Sequence, residues 1–192
     1  LAGASMKSEN VDETFAEYHS RWIDDRMAYG YIAPATAHLY HAKIQPVYRL
    51  IGDKKLTELN SAMIDGAYRR LVRDIGPVRT HDLSINLRGS LRDAVKAGLI
   101  ERDPAGPVPV PQGKRDPKST TLTQAQIATL VEQSKGWGVV GLICRFALAT
   151  GCRRGEICAL QWQDIDLDQC VVQIRRNVSM VGSKAVLGKP KT

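Results

Sequence analysis

The stretch ATGCRRGEICALQWQDIDL (residues 149–167) sets two arginines and a glutamate directly behind a glycine, in the most apolar part of the chain. Upstream of it, GVVGLICRFALAT (residues 138–150) is apolar almost all round, the mark of a helix buried at the centre of a domain. Gly151 suits the end of that helix, and RRGEICAL reads as a further short one. Arg153 is thereby delivered to the edge of a core, with Glu156 three residues on along the same helical face. A guanidinium held from behind by a carboxylate keeps donors free to aim at an anion, as a phosphate-binding arginine must. Taken bare, however, a helix-terminal arginine with glutamate at i+3 is more often a structural ion pair.

Working outward, CVVQIRR (170–176) and KAVLGK (184–189) read as two strands of a hairpin joined by NVSMVGS. On the other side, LTQAQIATLVEQS opens a helix: Thr123 and Gln126 have capping-box spacing, and Ile127, Leu130 and Val131 give the apolar stripe. Before it lies DPAGPVPVPQGKRDP (103–117), so dense in proline that both helix and central strand are denied, which predicts an extended interdomain linker over residues 106–120. Its basic tail, Lys114, Arg115 and Lys118, suits a phosphate backbone and equally a solvated linker.

Residues 11–105 carry four amphipathic patterns with short connections, as a helical bundle requires. The first places Val11, Phe15, Tyr18, Trp22 and Met27 near helical spacing and closes at Gly30. The second is expected to break or kink at Pro46 and stop at Gly52. The third opens on a capping Ser61; the fourth is capped by Thr80, with Leu83, Leu87, Leu91 and Val95 on one face. Residues 1–10 read as a flexible lead.

The 192 residues are 43% hydrophobic and 24% charged, a globular composition, and no apolar run nears the roughly 20 residues that span a bilayer. A cytoplasmic protein with no membrane partner is expected. Four cysteines without a C-x-x-C pair read as buried free thiols, and no histidine stands at metal-ligand spacing. The four histidines read as surface or capping residues, with His38 and His41 the two within reach of a phosphate. Net charge is +7, distributed as −3 over residues 1–30, +6 over 31–122 and +4 over 123–192. That excess suits a polyanion, most often nucleic acid, or simply a solvated basic surface. On this view Arg154 is solvent-facing or a nonspecific DNA contact.

Thr150-Gly151-Cys152-Arg153-Arg154-Gly155-Glu156, followed by Leu160, Trp162 and Asp164-Ile165-Asp166, resembles the arginine-box signature of the tyrosine recombinases, the phage integrase family. YHAKIQPVYRLIGDKKLTEL and LRGSLRDAVKAGLIERDPAGPVPVP are similar to that family's helical core-binding domain, and LTQAQIATLV to the opening of its catalytic domain. The resemblance implies a mainly α chain: a four-helix SAM-like core-binding domain over 11–105, and over 121–192 the N-terminal part of an α+β catalytic domain with its β-hairpin. It implies site-specific recombination of double-stranded DNA through a 3′-phosphotyrosyl intermediate, with no metal and no cofactor, by a homotetramer on DNA in a bacterial cytoplasm, at the nucleoid.

The same resemblance gives each matching residue a role. Arg153 would neutralise the scissile phosphate, Glu156 would orient the active site from behind that arginine, and Lys191, with Lys189 as competitor, would protonate the leaving 5′-oxygen. Trp162, Asp164 and Asp166 would be core and turn elements. Lys43, Arg79, Thr80, Asn86, Arg88, Arg92 and Lys96, polar or basic and near the second and fourth helices, are the candidate DNA contacts of the helical domain, most of them to phosphates. The family's H-x-x-R motif and its nucleophilic tyrosine have no counterpart here: the six tyrosines lie at positions 18, 29, 31, 40, 48 and 68. The expectation is a fragment, monomeric alone, that binds DNA without cleaving it; the other reading is a non-catalytic relative that occupies or regulates sites.

Overall fold

The structure is a computed structural model that describes residues 13–113 and 121–190. The chain divides into two units, within residues 1–116 and 117–192.

Among the described residues the first unit is built on four α-helices, α1 (Phe15–Ala28), α2 (Pro34–Ile51), α3 (Ser61–Ile75) and α4 (Pro77–Lys96). Helix α1 begins where a capping box dictates: the Thr14 hydroxyl accepts from the Glu17 backbone N–H, and the Glu17 carboxylate reaches back to the Thr14 N–H at 2.9 Å. The apolar stripes predicted from spacing converge on one core of Phe15, Tyr18, Ile44, Val47, Ile51, Ile64, Leu71, Leu83, Leu87 and Leu91. Two polar tips at this core are satisfied across helices: the Tyr18 hydroxyl donates to the Ser90 carbonyl at 2.8 Å, and the Trp22 indole to Asp93 at 3.0 Å.

Three local expectations change. Helix α2 runs unbroken through Pro46. Proline removes one hydrogen bond, but Ile44 and Val47, both wholly buried, anchor the helix on either side of it. Helix α3 is capped by Asn60, whose side chain accepts from the Met63 N–H at 3.1 Å, and Ser61 is its first helical residue. Helix α4 starts at Pro77, three residues before the expected cap, because proline at the first position needs no hydrogen bond for its nitrogen.

The proline-rich segment also departs from a free linker. Pro104, Ala105 and Val108 are buried, and residues 103–113 pack on α4. Lys114, Arg115 and Lys118 lie outside the described residues, as does Lys191.

The second unit holds α5 (Gln124–Gln133), α6 (Gly138–Thr150), the single turn α7 (Arg154–Ile157), and four strands, β1 (Ile165–Asp166), β2 (Val171–Val172), β3 (Asn177–Val181) and β4 (Lys184–Gly188). The capping box of α5 forms as its spacing predicts, and Gly151 ends α6 in the left-handed region at φ 68°. The hairpin is β3 with β4, register Asn177↔Gly188 to Val181↔Lys184. Residues expected as its loop therefore form its first strand. The physical cause is the turn: Gly182, at φ 59°, supplies the left-handed conformation that a two-residue hairpin turn demands, while Val171–Val172 pair instead with Ile165–Asp166.

Helix α6, expected to be buried, is open over most of its surface. Only Gly141 is buried, and Val139, Val140 and Leu142 are 73%, 62% and 59% exposed. No segment among the described residues covers that face. The cysteines are free, as expected, but none is buried: Cys144 and Cys152 are half-buried, Cys158 and Cys170 exposed. No helix among the described residues is long and apolar enough to cross a membrane.

Candidate nucleic-acid interface and phosphate-binding arginine

After Gly151 turns the chain out of α6, Arg153 stands as the residue before α7, with extended backbone, and Glu156 falls on its third position. The Glu156 carboxylate accepts twice from Arg153, from the backbone N–H at 2.9 Å and from Nη1 at 3.0 Å. The glutamate side chain is 8% exposed and the arginine 66%. The pair is therefore asymmetric: a sheltered acid holds, through the backbone N–H and one guanidinium nitrogen, a largely exposed cation. The Arg153 backbone N–H, and then its guanidinium, hold the Glu156 carboxyl below the usual carboxylate range. It stays ionised and keeps the arginine in place. Arg154 is exposed beside it.

Gly155, between them, is a determinant that sequence reading missed. A Cβ there would lie 2.3 Å from the Asn177 side-chain oxygen and 2.5 Å from the Val178 carbonyl, so α7 rests directly on β3. Asn177 pairs with Gly188 on β4, and Lys189 follows at once. Helix α7 thus rests on the strand next to the one that leads into Lys189. Lys189 is exposed.

Behind the hairpin, Asp164 is a buried carboxylate, its side chain 1% exposed. It accepts from the Gln161 backbone N–H at 2.9 Å and from the Arg176 guanidinium, with Arg175 3.9 Å away. It ties the turn after α7 to the start of β3. The Gln161 N–H, then Arg176, draws its carboxyl below the ordinary range. Asp166 caps a turn by accepting from the Gln169 N–H at 2.8 Å. Trp162, expected in the core, is 83% exposed.

In the helical unit the candidate DNA contacts divide. Lys43, Arg79, Arg92 and Lys96 are exposed on α2 and α4. Lys43 and Arg79 line a groove of about 410 Å³ with Pro46, Ile75, Asp82 and Leu83, and Lys96 pairs with Asp93 at 3.0 Å. Three others are occupied by the fold. Thr80 is wholly buried and its hydroxyl donates to the Gly76 carbonyl at 2.9 Å. Asn86 accepts at 2.8 Å from Nε2 of His19, whose Nδ1 is 2.9 Å from the Tyr48 hydroxyl. Arg88 donates to the carbonyls of Val108 and Gly106 at 3.0 and 3.2 Å. Asn86 and Arg88 read as available until partners distant in sequence claim them, whereas Thr80 is taken by its own helix.

His19 corrects a further expectation. It is wholly buried among Phe15, Trp22 and Tyr48, and burial pushes its imidazole down to about 4, so it is neutral at pH 7. His41 pairs with Asp24 at 2.9 Å, His81 bonds the Pro111 carbonyl, and His38 is exposed.

No protein-family model matches the chain. In sequence it is 36% identical over 116 residues to the prophage integrase IntR of Escherichia coli (strain K12), a match covering 60% of this chain and 27% of that protein. It is 28% identical over 186 residues to the integrase of Mycobacterium phage L5, covering 93% and 47%. The chain thus spans less than half the length of either. In structure it is similar to the Tn1549 transposon integrase in complex with a circular intermediate DNA, with TM-score 0.73, 16% identity, and 94% and 58% of the two chains covered. It is also similar to a lambda integrase tetramer bound to a Holliday junction, with TM-score 0.68, 18% identity, and 96% and 52% covered. At such identities the likeness is one of fold. The chain is thus a sequence relative of phage and prophage integrases and carries the tyrosine-recombinase integrase fold.

Proposed function

We propose that this chain supplies the DNA-holding helical unit and the phosphate-binding arginine of a site-specific recombinase that exchanges strands of duplex DNA through a 3′-phosphotyrosyl link. The observation that carries the proposal is the Arg153–Glu156 pair: a buried-side carboxylate anchoring an exposed guanidinium within an integrase fold. In this reading the tyrosine oxygen attacks the phosphorus and the 5′-oxygen departs. Arg153 bears the negative charge that builds on the non-bridging oxygens, where a fixed donor stabilises the transition state more than the ground state. A lysine at the end of the hairpin, Lys191 or Lys189, donates the proton that the leaving oxygen needs. A 5′-hydroxyl of the partner strand then reverses the step.

Lys43, Arg79, Arg92, Lys96 and Arg154 take phosphates, which position a protein on duplex without specifying sequence. The basic tail Lys114, Arg115 and Lys118 joins them. Residues 11–105 act as the core-binding domain and 121–192 as part of the catalytic domain, assembled on DNA as a tetramer. No tyrosine occurs after position 68, so these 192 residues alone are expected to bind as a monomer and not to cleave. The same observation favours a second reading, a non-catalytic relative that occupies sites.

Duplex affinity should fall steeply with salt, with a slope of log K against log salt of about −7 for these eight phosphate contacts. In a protein that also carries the tyrosine, Arg153→Ala should lower the cleavage rate by roughly 10²–10³-fold, as loss of a transition-state donor does, with duplex affinity changed less than about threefold. Affinity falling in step with cleavage would make Arg153 a DNA anchor. Absence of cleavage in the longest native reading frame would leave the site-occupying reading.

A further inference from the structure

We infer that residues 103–113 are a latch that shortens the tether between the two units, and that Arg88 and His81 are the positioning residues that hold it. The segment first turns back on itself: Asp103 accepts from the Ala105 N–H at 2.9 Å, and Val108 N–H donates to the Ala105 carbonyl at 3.2 Å. It then follows α4 towards that helix's start. Arg88 grips the carbonyls of Gly106 and Val108; His81, two turns earlier, donates from Nδ1 to the Pro111 carbonyl at 3.0 Å; Gly113 meets Val78, one turn earlier again. At Gly113 a Cβ would lie 2.6 Å from the Val78 side chain and 2.7 Å from its backbone nitrogen.

The chemistry of the segment explains the choice of partners. Prolines 107, 109 and 111 have no N–H, so the segment cannot pair as a strand, yet each keeps its neighbours' carbonyls available as acceptors. A guanidinium and an imidazole N–H are donors that match. Proline also limits what the released chain can explore, so holding it costs little conformational entropy.

The consequence is one of length. With the latch closed, the connector from Gly113 to Thr123, the cap of α5, has ten Cα steps and can reach no further than about 36 Å. Released from Asp103 onwards it has twenty and reaches about 70 Å. The effective concentration of one unit near a site held by the other falls with roughly the −3/2 power of connector length, so doubling the connector lowers it about threefold. This effect rests on the proposal above that both units hold one duplex; the latch itself does not.

The test uses the whole chain with Arg88→Ala and His81→Ala combined and, separately, Gly113→Val, which lifts the far end of the segment without removing a charge. In the absence of DNA, both variants should show faster amide exchange at Ala105, Gly106 and Val108, with the unfolding of the helical unit still cooperative. Duplex affinity should fall about threefold in each, and the slope of log K against log salt should stay as in the parent chain. A slope smaller in magnitude by about one in the double variant, with no change in Gly113→Val, would make Arg88 a phosphate contact and overturn the latch. Unchanged exchange at residues 105–108 in both variants would overturn it too. Absence of salt-dependent duplex binding by the parent chain would instead count against the proposed function, and the exchange result would still decide the latch.

Discussion

The two units differ in how much apolar side chain they bury. In the helical unit Phe15, Ile23, Ile44, Ile64 and Leu91 are completely buried, and each contributes about 1.5–3 kcal/mol by leaving water. Among the described residues of the second unit the buried set is Ser134, Gly141, Glu156, Ala159 and Asp164, while the aliphatic residues of α6 face solvent. The first unit is held by apolar area, the second by capped turns, ion pairs and a hairpin. What this teaches is that the arginine mount is organised locally, by contacts within a few residues of Arg153, and does not depend on a large apolar core among residues 121–190.

The largest expected effect separates the units directly. Leu91→Ala or Ile44→Ala should destabilise the helical unit by about 2–5 kcal/mol in denaturant titrations, whereas Leu142→Ala or Val140→Ser on α6 should stay within about 0.5 kcal/mol. An α6 variant as costly as a core variant would break the comparison.

The units should also differ in acid. His19 has a folded pKa near 4 against an ordinary 6.5, so the unfolded chain binds the proton first as pH falls. The helical unit should therefore lose stability between about pH 6.5 and 4, by as much as about 3 kcal/mol, and show no further loss from this group below that. Glu156 and Asp164 have lowered pKa values, so their stabilisation is complete above the ordinary carboxylate range and is lost only as pH falls through their folded values. Amide exchange resolved by unit should show the helical unit softening first. His19→Gln should remove its slope between pH 6.5 and 4 and leave the second unit's acid response unchanged.

A smaller effect probes the mount. Gly155→Ala places a methyl against the Asn177 side chain and the Val178 carbonyl, and should cost about 1–3 kcal/mol through displacement of α7 from β3. Faster exchange at the β3 amides with α4 unchanged is the expected signature. An unperturbed hairpin would mean that α7 and β3 are not coupled through this contact.

Much of this was legible in the residues themselves. The four helices, the capping box at Thr123, the stop at Gly151 and the Arg153–Glu156 pair depend on contacts three or four residues apart, whose energies are the same wherever the segment sits. Legibility failed where the partner is distant. Asn86 and Arg88 share a helix with exposed basic residues, and nothing in their spacing distinguishes them from Arg92; Thr80, three and seven residues before Leu83 and Leu87, falls on the apolar face and was legible as buried. Asn86 is claimed by His19 across 67 residues and Arg88 by a carbonyl 20 residues on.

The hairpin register divides in the same way. Both VV and NVSMV have strand propensity, and the Gly-Ser turn was present in the sequence as a signal. Yet NVSMV is the run that pairs with KAVLG, because Gly182 makes the two-residue turn directly after it, and Val171–Val172 pair instead with Ile165–Asp166. Local sequence thus determined the helices, their caps and the chemistry of the arginine box, because those are short-range energies. Only the tertiary structure decided which polar side chains remain free for a phosphate, because a buried donor or acceptor takes whatever partner the packed chain brings to it.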